Sequence, residues 1–250
     1  MEVYRQADFQ IRFDWGLTGA AAISPGADMT VVVDVLSFTT TLSVAVDSGV
    51  EVFPYRFRDA SAAAFAAARS AVLAVGRSER KDTEVSLSPM SVRYAATSGG
   101  VLTATPRLVL PSPNGSAISR QLAERGSTVV AACLRNASAV ANWINLQKPA
   151  VVAVVAAGER WPGDTLRPAV EDLWGAGAVI AGLTGSRSPE AGAAAAAYAA
   201  VAGAVGPALL ACGSGRELAA LGWGDELPVA AETETSSIVP ILVGESFRAA

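Results

Sequence analysis

Residues 31–42 read VVVDVLSFTTTL. Asp34 interrupts an otherwise apolar run, and Ser37, Thr39, Thr40 and Thr41 follow it directly. A carboxylate inside a buried strand is unfavourable unless it is paired, hydrogen-bonded or bound to a cation. A second acidic candidate is the pair Glu171-Asp172 in VEDLWGAGAVIAGL. Acids in the first turn of a helix complement its dipole; the functional alternative is that one of them turns inward as a ligand or base. A third is Glu159, after VVAVVAAG, where Gly158 permits a tight turn and Glu159 is either part of a site or solvated. The stretch PSPNGSAIS (111–119) reads as a strand-to-helix elbow. There Asn114 can offer its amide to a ligand, and the N–H groups of Gly115 and Ser116 can form an anion nest. CGSGREL (212–218), with Arg216 one turn into a helix, is a weaker candidate of the same kind.

Composition narrows the chemistry. The 250 residues contain no histidine. That excludes a Ser-His-Asp triad, a Cys-His pair, a phosphohistidine and His-ligated zinc. A metal site must then use oxygen donors, which favours magnesium, manganese or calcium. A general base must be Asp, Glu, Lys, Tyr or a metal-bound water. Cys133 and Cys212 lie in apolar segments and read as buried, reduced thiols. No P-loop, no GxGxxG after a strand and no DxDx[TV] motif is present. The net charge is −4 and no basic block occurs, so nucleic acid and anionic membrane are not expected partners. MEVYRQADFQ carries no secretory signal pattern, and a cytoplasmic protein is expected. Residues 191–215 imitate a membrane span, yet they are mostly Ala and Gly and are broken by Gly206-Pro207. A helix followed by a buried strand is the expected reading there.

The elements that must position these residues alternate. Apolar, β-branched runs at 9–13, 31–36, 50–55, 71–75, 107–111, 128–134, 151–157, 208–212 and 238–243 predict strands. Ala-rich or amphipathic stretches between them predict helices, including 38–48, 115–125, 136–146, 169–184 and 189–203. The alternation predicts an α/β fold with helices on both faces of a sheet. Residues 31–55 and 108–134 share one pattern: strand, polar turn, helix, glycine, strand. In such sheets ligands gather at strand carboxyl ends, so the two polar turns are candidates to face one site. No clean linker is visible. One domain over 1–250 is expected, with the alternative of two βαβ-type halves meeting near residue 105. The most loop-like stretches are 77–89, 98–106 and 158–168.

Taken in order, several motifs resemble the 2-phosphosulfolactate phosphatase family (ComB-type). The family's DVLRA[ST]T-like strand end is DVLSFTT at 34–40, and its TTNGT-like turn is SPNGS at 112–116. NASAVA (136–141), AAGE (156–159), EDLWGAG (171–177) and the tail 214–242 follow in the family's order. The resemblance covers most of the chain. It implies a three-layer α/β/α sandwich with a mixed, mostly parallel central sheet. It also implies a magnesium-dependent phosphatase acting on a small anionic phosphoester such as 2-phosphosulfolactate. Three positions depart from the family. Ser37 stands where Arg is usual after DVL, the family's Gly-Glu-Arg reads GRS at 76–78, and Gly-Asn-Ser-Pro reads SLSP at 86–89.

Within that resemblance, Asp34 and Glu171 are the expected metal ligands, and Asp34, Asn114, Glu171 and Asp172 the expected catalytic groups. Ser37, Thr39, Thr40, Gly115 and Ser116 are expected to meet the phosphoryl group, with Arg135 or Arg77 replacing the lost cation. Asp34 as nucleophile, with Glu171 or Asp172 holding the metal, is the rival assignment. An anion-binding relative without catalysis is the second reading, and an Asp34 that only caps its own turn is the third. The Ala/Gly-rich helix 175–184 suits close packing within the fold or across a homodimer.

Overall fold

The computed structural model describes residues 3–56, 59–81 and 84–250. Asp82 and Thr83, in the loop expected at 77–89, lie outside the described residues. The strands are β1 (Ile11–Trp15), β2 (Met29–Val33), β3 (Glu51–Tyr55), β4 (Val72–Leu73), β5 (Arg107–Pro111), β6 (Thr128–Ala132), β7 (Val152–Ala156), β8 (Glu159–Arg160), β9 (Leu166–Arg167), β10 (Pro240–Val243) and β11 (Ser246–Ala249). Nine of them form one sheet in the order β1-β7-β2-β6-β10-β11-β3-β5-β4, while β8 and β9 make a separate hairpin.

The sheet is mixed and mostly parallel. β1, β7, β2 and β6 run parallel to one another, as do β3, β5 and β4. The hairpin β10–β11 joins the two blocks through antiparallel pairings, so the blocks point in opposite directions. Strands from early and late sequence interleave: β2 pairs with β6, and β3 with β5. Sheet twist of about 20–25° per strand accumulates to more than a right angle over the five steps from β2 to β5. That twist allows the carboxyl ends of two oppositely directed blocks to approach each other.

Successive strand residues face opposite layers. Val31 and Val33, Val130 and Ala132, and Val154 and Ala156 pack into one cluster with the helices Ala137–Gln147, Val170–Gly182 and Pro189–Ala199. Val32, Val129, Ala131, Ala153 and Val155 pack into the other with Gly16–Ile23, Phe38–Asp47, Pro89–Ala95 and Gly115–Ala123. This is the three-layer sandwich. Helix starts follow local chemistry: Ser88 and Ser188 cap their helices, each with Pro at the first position.

Residues 208–212 are not a strand. Val205–Ala211 is a helix, followed by the helix Gly213–Ala220. Pro207 sits in the first turn of its helix, where its missing N–H breaks no intrahelical bond. Among the described residues, no helix is long and apolar enough to cross a membrane.

Candidate active site

The two polar turns meet. Asp34, just past β2, is buried, and its two carboxylate oxygens are held by different helices. Oδ1 accepts the Phe38 N–H at 3.0 Å, in the first turn of Phe38–Asp47. Oδ2 accepts the Gly115 N–H at 2.9 Å, the first residue of Gly115–Ala123. A side chain at 115 would obstruct this: its Cβ would lie 2.4 Å from Phe38 Cδ1 and 2.8 Å from Asp34 Oδ2. Glycine is required at 115 by that approach.

Glu171 and Asp172 are not surface dipole partners; they are 2% and 3% exposed. Asp172 clamps two strand ends. Oδ1 accepts the Val35 N–H at 2.7 Å, and Oδ2 accepts the Gly158 N–H at 2.8 Å. The helix reaches this depth because Gly175, one turn further on, lies against β2. A Cβ there would come within 2.7 Å of Val35 and 2.8 Å of Val33. Gly175→Ala is therefore expected to lower stability by about 1–3 kcal/mol, the usual range for overpacking, read as a shift in the denaturation midpoint.

Asn114 joins the site to the hairpin β8–β9. Its Nδ2 donates to Glu159 Oε2 at 3.1 Å, and its Oδ1 accepts from Arg160 Nε at 3.2 Å. These residues line a cavity of 170 Å³ together with Trp15 and Thr18. Arg167, on the same hairpin, bonds Ser214 Oγ at 3.3 Å. Glu159 is thus part of the cluster rather than a solvated turn residue.

Electrostatics record the crowding. Burial pushes Asp34 up to about 6, with the charge of Glu171 adding to it and the Phe38 and Gly115 N–H groups and Arg77 opposing it. Burial raises Glu159 to about 7, reinforced by Asp34 and opposed by Asn114 and Arg167. Burial, then Asp34 and Glu171, raise Asp172 well above the ordinary carboxylate range. Cys212 is pushed up to about 11 by burial and by the neighbouring Glu171, so it is a protonated thiol. Among the described residues Glu171 forms no salt bridge.

Other expected ligand groups are engaged with the protein. Thr39 Oγ1 donates to the Asp34 carbonyl at 2.8 Å and Thr40 Oγ1 to the Val35 carbonyl at 2.7 Å, which shapes the turn. Ser116 Oγ donates to the Leu110 carbonyl at 2.9 Å. Arg135 departs from its expected place. Its guanidinium bonds Asp47 at 2.9 Å and Glu232 at 2.6 Å. Asp47 is the last residue of Phe38–Asp47, about 14 Å along the helix from the Asp34 end. Two adjacent acids attract the Arg135 cation away from the site. The cation that does reach the Asp34 turn is Arg77, whose Nη2 donates to Ser37 Oγ. Its anchor, Glu226, is far away in sequence, and no local pattern pointed to it.

Buried carboxylates, two helix N-termini and nearby guanidinium groups thus gather at strand carboxyl ends, the place where open α/β sheets hold their ligands. A family model described as 2-phosphosulpholactate phosphatase matches residues 21–245, and the chain belongs to that family. It is accordingly a phosphatase, a phosphoric monoester hydrolase. No individually curated protein matches the chain.

Proposed function

We propose that the chain is a cytoplasmic, magnesium-dependent phosphatase of a small anionic phosphoester, 2-phosphosulfolactate or a close analogue. The observation that carries the reading is the gathering of Glu171, Asp172 and Glu159 around Asp34, whose carboxylate bridges the Phe38 and Gly115 helix N-termini. Among the described residues, no three Asp, Glu or Cys side chains are placed together to hold a metal ion. Magnesium needs less than that. It commonly uses one or two carboxylates, completed by water and phosphate oxygens. Asp34 and Glu171 fit this demand: both are buried oxygen donors, and Glu171 has no salt-bridge partner among the described residues. When bound, the ion would neutralise charge on the ester and on the cluster.

The chain's own groups do the rest. Ser37 meets the phosphoryl oxygens, while the Phe38 and Gly115 N–H groups hold the Asp34 carboxylate beside them. Asp172 fixes the Val35 and Gly158 backbones, and so the distance between the Asp34 and Glu159 turns. Glu159 lies near neutrality and can pass a proton to or from the ester oxygen or the attacking water. Asn114 holds Glu159 at the cavity.

The test is phosphate release from a panel of small phosphoesters, with magnesium and with chelator. Magnesium-dependent release is expected, strongest for esters bearing further acidic groups. Folded protein that releases nothing from any ester, while binding inorganic phosphate, would support the anion-binding reading instead.

A further inference from the structure

Arg77 opens the short 3₁₀ turn Arg77–Glu79, and Glu226 closes another, Gly224–Glu226. Their side chains are 14% and 5% exposed. The contact is two-pronged: Nε lies 3.0 Å from both Glu226 oxygens, and Nη2 lies 2.7 Å from Oε2. The guanidinium also lies 5.7 Å from the Trp223 ring centroid. Nη2 has a second partner, Ser37 Oγ, in the turn after Asp34. Among the described residues Nη1 has no hydrogen-bond partner. Arg77 also lines a polar cavity of 580 Å³ with Arg80, Ser86, Ser88, Trp223 and Glu226.

A buried Arg–Glu pair adds little net stability over apolar residues of similar shape, because both charges lose their hydration. What such a pair does well is fix a planar fork in one orientation. Here Nε and Nη2 are committed to Glu226 and Ser37, which leaves Nη1 uncommitted. We propose that Arg77 binds the phosphoryl oxygens of the substrate beside Asp34 and that Glu226 is its positioning residue. The proposal takes the identity of the anion from the phosphatase reading above. It adds the residue that supplies the positive charge at this turn and the one that aims it.

The experiment combines calorimetric binding of inorganic phosphate with steady-state phosphate release. Arg77→Ala is expected to weaken phosphate binding and raise KM by about 10- to 100-fold, as for one lost charged hydrogen bond. Millimolar guanidinium should restore part of that loss and leave wild type unaffected. Arg77→Lys should stay impaired, since it keeps the charge without the fork. Glu226→Gln should raise KM more than it lowers kcat. Should Arg77→Ala misfold around an unpaired Glu226, the double variant Arg77→Met/Glu226→Gln leaves no lone buried charge and should fold without binding phosphate. Unchanged phosphate affinity and KM in folded Arg77 variants, with wild type active, would overturn the proposal alone. A Glu226→Gln protein that melts earlier with unchanged KM would reduce the pair to a structural brace. A wild type that neither binds phosphate nor hydrolyses any ester would remove the phosphatase reading, and this proposal with it.

Discussion

Asp34→Asn is expected to lower kcat by at least about 10³-fold, the scale of losing a charged group central to transition-state stabilisation. The geometry explains the size. The two Asp34 oxygens accept N–H bonds from the Phe38 and Gly115 backbones. An Asn amide can accept only one of these and turns an NH₂ toward the other. The variant thus loses the charge and loosens the junction between two helices. Melting measured alongside turnover separates the effects: a folded, inactive variant assigns the loss to the carboxylate. Mass spectrometry of the wild type during turnover then divides the two roles considered for Asp34. A trapped phosphoryl group on Asp34 would make it the nucleophile; its consistent absence would favour a ligand role. A folded Asp34→Asn protein of normal activity would remove Asp34 from the mechanism.

A comparable effect is expected in stability against pH. Asp34 is raised from 3.8 to about 6 and Glu159 from 4.5 to about 7. Between the unfolded and folded values the native state binds more protons than the unfolded chain. Stability is therefore greatest at the acid end of this window and falls as pH rises through about 4 to 7. At about 1.36 kcal/mol per pKa unit, and allowing for coupling within the cluster, the loss is on the order of 3 kcal/mol. For a chain of this size that is roughly 6–12 °C in Tm. A divalent cation that binds the ionised cluster should restore stability at about pH 8 and do much less at about pH 5. Melting of chelator-treated protein, with and without magnesium at both pH values, measures this. A Tm indifferent to magnesium at both would exclude the ion from the cluster.

Much of the fold was legible because its signals are local. Continuous apolar runs such as VVV and VVAVVA read as strands covered on both faces, and the structure places them there. The α/β class, the sandwich and the family all follow from such runs and from motifs in colinear order. Where two local signals compete, the reading failed. ALLAC has the composition of a strand and forms a helix with most of it, since proline is harmless in a first turn. The last strand, β11, was missed because two of its residues face solvent and interrupt the apolar pattern.

The site divides in the same way. Sequence alone pointed to Asp34, Glu171, Asp172 and the Asn114-Gly115 elbow, because acids or Asn-Gly at strand and helix boundaries stand out. It left open which of them are buried together. Tertiary structure decided that Asp172 bridges Val35 and Gly158 and that Gly115 reaches Asp34. It also decided that Arg135 turns to Asp47 and Glu232 while Arg77 takes the place beside Ser37. The physical reason is range. Strand and helix formation depends on neighbours a few residues apart, whereas burial and charge pairing depend on where the twisted sheet brings its ends. The Arg77–Glu226 pair, separated by 149 residues, has no local signature.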